Sequence, residues 1–433
     1  MLQYNTSFID NKAVIGILRR ACSHVDKRLI DHGIRVSYIV SCFLRDVPGI
    51  HSVKLRDLCF LAALHDIGAY KTEEIDRMVQ FETENVWEHS VYGYLFIKYF
   101  TPLSSFAPAV LYHHTPWSEL KEQDDISAEL KYIAQLIYIS DRLDIWMNSE
   151  HRSFSDFIRI ISGERGTRFE SSLVDALADM QFASFTAEQA ERDPAFIHMQ
   201  SEIAFSHEEI LAYLKTIIYS MDFRSIHTVT HTITTTSISN ELAELMRLTP
   251  AYRNQIVFGA LLHDLGKIGI PVEILEYPGR LSPQAMAVMR THVDITAEIF
   301  EDDIPETIQR IALRHHEKLD GSGYPRGLSA KDLTIGERIV AMADIVSALA
   351  GTRSYKKAYG RERIISIISE MSQSGLIDSG LVDLMTTNYD QIMGKTAVHC
   401  KPVMDIYRKL RREYTETYAR CSAGRNIEKR KKL

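Results

Sequence analysis

Apolar positions recur along most of the chain with a period near 3.6, the spacing that lays one stripe down the side of a helix. Val36, Ile39, Val40, Phe43 and Leu44 share such a stripe, and His32 continues it one turn earlier. Thr235, Ile238, Leu242 and Leu245 form the equivalent stripe behind His231. Both leading histidines therefore face the core of a helical bundle, where a metal ligand and a merely packed histidine would equally sit. One stretch opposes this pattern. Residues 227–236, HTVTHTITTT, alternate β-branched and polar side chains as a strand would. Helix is predicted there as well, because tertiary packing outweighs local propensity and the segment occupies the place of the helix at His32. The expected fold class is all-α, built as two tandem helical bundles.

A chain of 433 residues is too long for one core and fits two domains. The first is expected over residues 1–200 and the second over 201–410, with 411–433 as a basic tail. Residues 149–193 carry no ligand pattern and contain Gly163 and Gly166, so they read as loop and peripheral helix. A helix over roughly 205–221 leads into the second domain. Apolar residues make up 45% and charged residues 25%, the balance of a soluble globular protein. No unbroken run of about 18 apolar residues predicts a membrane span. Asp10 and Lys12 stand where a signal peptide needs an apolar core, so a cytoplasmic protein is expected. Five cysteines without a CxxC pair read as reduced packing residues. The net charge of −7 argues against a DNA or RNA polymer as partner. A phosphate-bearing substrate would instead be drawn by metals or by a few placed cations. Self-association is compatible with this composition. The basic run at Arg425 and Lys429–Lys432 reads as a solvated end.

The chemistry is located by a repeat. His32, His65-Asp66, His89, His113-His114 and Asp141 recur in order as His231, His263-Asp264, His292, His315-His316 and Asp344. Steps between successive elements are 33, 24, 24 and 27 residues in the first set and 32, 29, 23 and 28 in the second. Histidine and carboxylate together are ligands for divalent iron, manganese, nickel or zinc. A lone histidine is more often a packed one, but a whole set repeated in order reverses those odds. His227, four residues before His231, would share its helix face and could point at the same site.

Residues 263–271 read HDLGKIGIP, residues 315–325 HHEKLDGSGYP and residues 343–356 ADIVSALAGTRSYK. These blocks resemble the signatures of the HD-GYP family, a branch of the HD phosphohydrolase superfamily, over about residues 220–400. The resemblance implies an all-helical domain with two or three divalent metals, iron or manganese, that hydrolyses a bis-(3′-5′) cyclic dinucleotide to a linear one. It implies His231, His263, Asp264, His292, His315, His316 and Asp344 as ligands, with Asp264 bridging. The metals would activate water and neutralise charge on the phosphoryl oxygens. With His263 and Asp264, Lys267 would serve catalysis by acting on the departing oxygen. Arg353 and Lys356 match phosphate-contacting positions, and Tyr324 and Pro325 would border the substrate. Three positions depart from the family pattern. His227 replaces a glutamate common in members with a third metal, which a histidine could also hold. Thr234 and Ser347 stand where an arginine and an aspartate are usual.

The first set keeps the ligands without their partners. Ala69 occupies the place of Lys267, and Thr115-Pro116-Trp117 follows the histidine pair in place of a GYP loop. It resembles an HD domain outside the GYP branch, or a degenerate copy within it. A structural and regulatory role is expected of it, over an independent hydrolase, and its seven residues form a second candidate metal site. A divergent HD domain before an HD-GYP domain resembles the tandem order of cyclic GMP-AMP phosphodiesterases, which favours 3′,3′-cyclic GMP-AMP over cyclic di-GMP as substrate. Two alternatives stand beside this: a non-catalytic receptor for the dinucleotide, and a phosphohydrolase for mononucleotides or alarmones.

Overall fold

Helices supply the regular structure of the computed structural model, which describes residues 5–431 apart from 7, 26, 72–86, 181–186, 203, 225–229 and 352–357. Among the described residues the β pairings are two isolated bridges, Arg165 with Phe169 and Asp320 with Ser329. The strand-like threonine run is helical from His231 to Leu245, as predicted. Packing explains this, since Thr232, Thr235, Thr236 and Ser237 are all buried there. Their hydroxyls find partners without a sheet: Thr236 Oγ1 donates to Thr232 O at 2.7 Å, and Ser237 Oγ lies 3.0 Å from Thr396 Oγ1.

Local signals set the other helices that matter to the site. Thr249 accepts from Tyr252 N and Pro250 opens the first turn of the helix Pro250–Leu262, which runs directly into His263. A reciprocal capping box between Thr334 and Glu337 starts the helix Ile335–Ala350, which carries Asp344. Ile238, Leu242, Ile256, Ile311, Ile339 and Val346 pack these helices into one core.

The chain resolves into two compact units that are not contiguous in sequence. One joins residues 1–24 to 217–408, and the other joins 25–216 to 409–433. This departs from the expected division at 200 and 410. In the first of these units Arg20 binds Ile299 O at 2.7 Å and pairs with Glu301 and Asp303, while Phe8 packs edge-on against Phe258. In the other, Glu413 accepts from Tyr94 and Tyr99 and pairs with Lys98, and Tyr414 stacks on Tyr92 at 4.3 Å. The expected tail 411–433 is therefore helical to Lys431, with Glu413 and Tyr414 in packed contacts. A contiguous boundary assumes that each end packs on its sequence neighbours, and here the apolar faces of both terminal segments are buried elsewhere. The described residues of 149–193 are helix and loop, with helices at Phe154–Gly163, Ser171–Asp179 and Ala187–Arg192.

Candidate metal centre

The His263-Asp264 pair sits where the helix Pro250–Leu262 gives way to a single tight turn, Leu265–Gly269. That turn is locked onto the helix His292–Phe300. Gly266 N donates to Thr296 Oγ1 at 2.8 Å, and a Cβ added at Gly266 would lie 2.0 Å from His292 O. His315-His316 follows the helix Glu306–Leu313, while His231 and Asp344 come from their own helices.

All seven predicted ligands converge. Asp264 Oδ2 lies 3.3 Å from His231 Nε2 and 3.2 Å from His263 Nε2, while its Oδ1 lies 3.6 Å from His292 Nε2 and 3.9 Å from His315 Nε2. The two oxygens of this one carboxylate thus face two groups of histidines, the placement a bridging ligand needs. Asp344 Oδ1 approaches His231 Nε2 at 3.0 Å, and its Oδ2 lies 3.8 Å from His316 Nδ1. The far nitrogens of the rings are pinned by carbonyls: His263 Nδ1 to Ala260 O, His292 Nδ1 to Met289 O and His315 Nδ1 to Ala312 O. Such bonds fix each ring and direct its Nε2 into the centre.

The polar atoms left over test whether metal fits. His263 Nε2 and Asp264 Oδ1 are buried with no hydrogen-bond partner, a costly arrangement unless a cation completes it. Burial holds His315 well below the usual histidine range and lowers His316 to about 3, so both are neutral and ready to ligate. Burial alone would also lower His263, but the Asp264 and Asp344 carboxylates push it up to about 10. A metal held by His263 would meet the same two carboxylates and compete with a proton for this nitrogen.

A cavity of about 600 Å³ opens beside the centre, lined by His231, His292, His316 and Lys267 among others. Lys267 Nζ donates to Asp264 Oδ2 at 2.5 Å. Tyr324, from the Gly323-Tyr324-Pro325 loop, lines the cavity. The Tyr324 ring lies 4.6 Å from the His316 ring and carries the Arg290 guanidinium 4.7 Å from its centroid. Gly323 is required by close approach, since a Cβ there would fall 2.4 Å from Lys318 N. Two contributors were missed in the sequence. Glu317 is buried, and its carboxylate accepts from Arg326 N and Leu328 N at 2.8 and 2.9 Å, fastening the loop. Its position directly after the histidine pair was the available signal. Arg280 lines the cavity as a second cation, from a segment with no motif to announce it. Arg353, Lys356 and His227 lie outside the described residues.

The N-terminal set converges in the same way. Asp66, His89, His113 and His114 offer ligand atoms all within 4.8 Å of one another, and His32, His65 and Asp141 do likewise. His65 Nε2, Asp66 Oδ1 and His113 Nε2 are buried and unpartnered. Burial lowers His65 to about 4; it would lower His32 too, but Asp141 and Asp144 push that ring up to about 10. Two features differ from the other centre. Ala69 stands buried where Lys267 would be, and the buried Arg142 guanidinium binds Asp141 Oδ2 at 2.7 Å.

Sequence profiles described as HD domain match residues 29–145 and again residues 198–381. The chain is a tandem of two HD domains. A 3′3′-cGAMP-specific phosphodiesterase of Vibrio cholerae is 28% identical over 86% of this chain and 90% of its own length. A cyclic di-GMP phosphodiesterase of Thermotoga maritima is 34% identical, over 46% of this chain and 49% of that protein. The crystal structure of a cyclic GMP-AMP specific phosphodiesterase of V. cholerae shares the fold at 17% identity, with a TM-score of 0.50, covering 87% of this chain and 97% of that one. The tandem all-α architecture expected from the repeat is thereby established.

Proposed function

We propose that the C-terminal HD domain is a metal-dependent phosphodiesterase of the HD-GYP type, opening a 3′-5′ phosphodiester bond of a cyclic dinucleotide to give a linear dinucleotide. The observation that carries this reading is the convergence of seven ligands, two with unpartnered buried atoms, beside a cavity that also holds Lys267. Relatives named for cyclic dinucleotide phosphodiesterase activity support the substrate class. The relative matched over 90% of its own length favours 3′,3′-cyclic GMP-AMP over cyclic di-GMP.

His231, His263, Asp264, His292, His315, His316 and Asp344 would hold two divalent metals, iron or manganese, with His227 available to a third. Bound metals would activate water and neutralise charge on the phosphoryl oxygens. Lys267, which donates to Asp264, would serve the departing 3′-oxygen as acid, a role worth about 10²–10⁴ in rate. Arg280, with Arg353 and Lys356, would draw the phosphates. Tyr324 and Pro325 would border the dinucleotide, and burial keeps the Tyr324 phenol protonated. The N-terminal HD domain lacks the lysine and is assigned a structural and regulatory role, with a cluster able to hold metal of its own. Among the described residues no helix is long and apolar enough to cross a membrane, and we place the enzyme in cytoplasmic second-messenger signalling.

The test is incubation of the Mn²⁺- or Fe²⁺-loaded protein with cyclic dinucleotides, mononucleotides and alarmones, with products separated by chromatography. Cleavage of cyclic dinucleotides alone, to linear products, is expected. Full metal with tight dinucleotide binding and no cleavage would make the protein a receptor instead.

A further inference from the structure

The two HD domains solve the support of their leading histidine differently. In the N-terminal domain His32 Nδ1 lies 2.7 Å from Asp144 Oδ2, and Asp144 is in turn held by Arg35 Nε and Nη2 at 2.5 and 2.9 Å. Arg35 stands three residues after His32, and Asp144 three after Asp141. The corresponding positions of the C-terminal domain are Thr234, three after His231, and Ser347, three after Asp344. Ser347 Oγ lies 3.0 Å from His231 Nδ1, so the histidine keeps a partner although the carboxylate is gone. Loss of arginine and aspartate together is physically coherent, because either alone would leave a charge in a largely buried place without its counter-ion.

The exchange has a consequence for space. Thr234 and Ser347 both line the cavity, and Thr234 Oγ1 meets Cys400 Sγ at 3.5 Å, so that the two form one stretch of its wall. Together with Ala348, Met393, Ala397 and Cys400 they line the cavity with methyl groups, a thioether and a thiol beside two small hydroxyls, next to the leading ligand. The cavity's cations, Lys267 and Arg280, belong to other segments. Such walls suit a flat, weakly polar group better than a phosphate, and sulfur at the edge of an aromatic ring is a favourable contact. The whole cavity, about 600 Å³, has room for a complete ligand beyond the scissile group.

We propose that the part of the cavity bounded by Thr234, Ser347, Ala397 and Cys400, left open by the loss of the Arg–Asp pair, seats one purine base of the substrate. This rests on the cyclic-dinucleotide reading of the same site. The lobe is a specificity device: it admits substrates that carry a base beside the scissile phosphate, and the metals and Lys267 act on the phosphate itself.

The chain contains its own test. The double substitution T234R/S347D rebuilds the pair found at Arg35 and Asp144, retains a partner for His231 and fills the lobe. A second variant, Ala397→Phe, fills it from the helix Tyr389–Lys431 at a position exposed to the cavity, where folding is not at risk. Metal content by elemental analysis, and KM and kcat for 3′,3′-cyclic GMP-AMP and cyclic di-GMP, are measured on the full chain. Both variants should hold wild-type metal and show KM raised at least about tenfold, with the larger part of the loss in KM. Wild-type KM in Ala397→Phe overturns the proposal, and if the double variant fails to fold or to bind metal, Ala397→Phe alone decides. Failure of the parent reading is separate: the unmodified protein would then cleave no cyclic dinucleotide at all.

Discussion

Gly266→Ala tests whether the two halves of the C-terminal centre are held together by backbone contact. The added Cβ would stand 2.0 Å from His292 O, 2.6 Å from Thr296 N and 2.8 Å from Thr296 Oγ1. Two of these three obstacles are backbone atoms of a helix, so no side-chain rotation relieves them. Reaching even 3.0 Å requires the His263-Asp264 turn and the helix His292–Phe300 to separate by about 1 Å. That motion pulls Asp264 away from His292, now 3.6 Å apart, and so acts on the carboxylate placed to bridge. A displacement of about 1 Å at reacting groups costs about 10²-fold in rate, and overpacking a tight site costs about 3 kcal/mol at the upper end of its usual range. The variant should therefore lose about 100-fold in kcat/KM on a cyclic dinucleotide, bind metal more weakly and unfold at lower denaturant. Gly394→Ala is the control. It sits in a helix with nothing within 4 Å of the added Cβ, and should stabilise by about 1 kcal/mol without changing turnover. Wild-type kcat/KM with full metal in Gly266→Ala would refute the backbone-lock argument.

Lys267→Ala should retain its metals and lose about 10²–10⁴ in kcat, measured on metal-loaded protein; undiminished turnover would remove the lysine from the reaction. Ser347→Ala deprives His231 Nδ1 of its hydroxyl partner and should weaken metal binding about 10–100-fold in chelator competition. Glu317→Ala frees Arg326 N and Leu328 N and should cost about 3 kcal/mol, with a parallel fall in kcat/KM as Tyr324 leaves the His316 ring. Stripping metal with a chelator should lower the thermal transition and restored Mn²⁺ should recover it, by about 2.7 kcal/mol at a hundredfold excess over Kd. A thermal transition indifferent to metal would contradict the fit of the unpartnered ligand atoms.

The repeated ligand order was legible because metal coordination demands particular residue types at positions that helix lengths then space almost identically in both domains. The helical class followed from periodicity, and the described part of the threonine run, from His231 on, yielded once its place in the repeat was weighed against its propensity. Glycines in HDIG and HDLG stand out in the sequence, but their purpose is visible only in the packed structure, where a Cβ added at Gly68 or Gly266 would fall 2.0 Å from the carbonyl oxygen of His89 or His292. The same limit applies to Thr234 and Ser347. Read singly they were two departures from a pattern; in space they stand on one cavity wall at the positions of one ion pair, because residues 113 positions apart come to the same site only after folding.

By itself, then, the sequence determined the fold class, the candidate ligand set and which of the two clusters keeps its lysine, since these depend on residue identity and short-range spacing. Tertiary structure alone decided the exchange of terminal segments between compact units, the fastening of the loop by Glu317, the arrival of Arg280 at the cavity and the opening of the lobe beside His231. Each of those is a contact between distant residues, set by which apolar faces and charges can be buried together, and no local pattern along the chain encodes it.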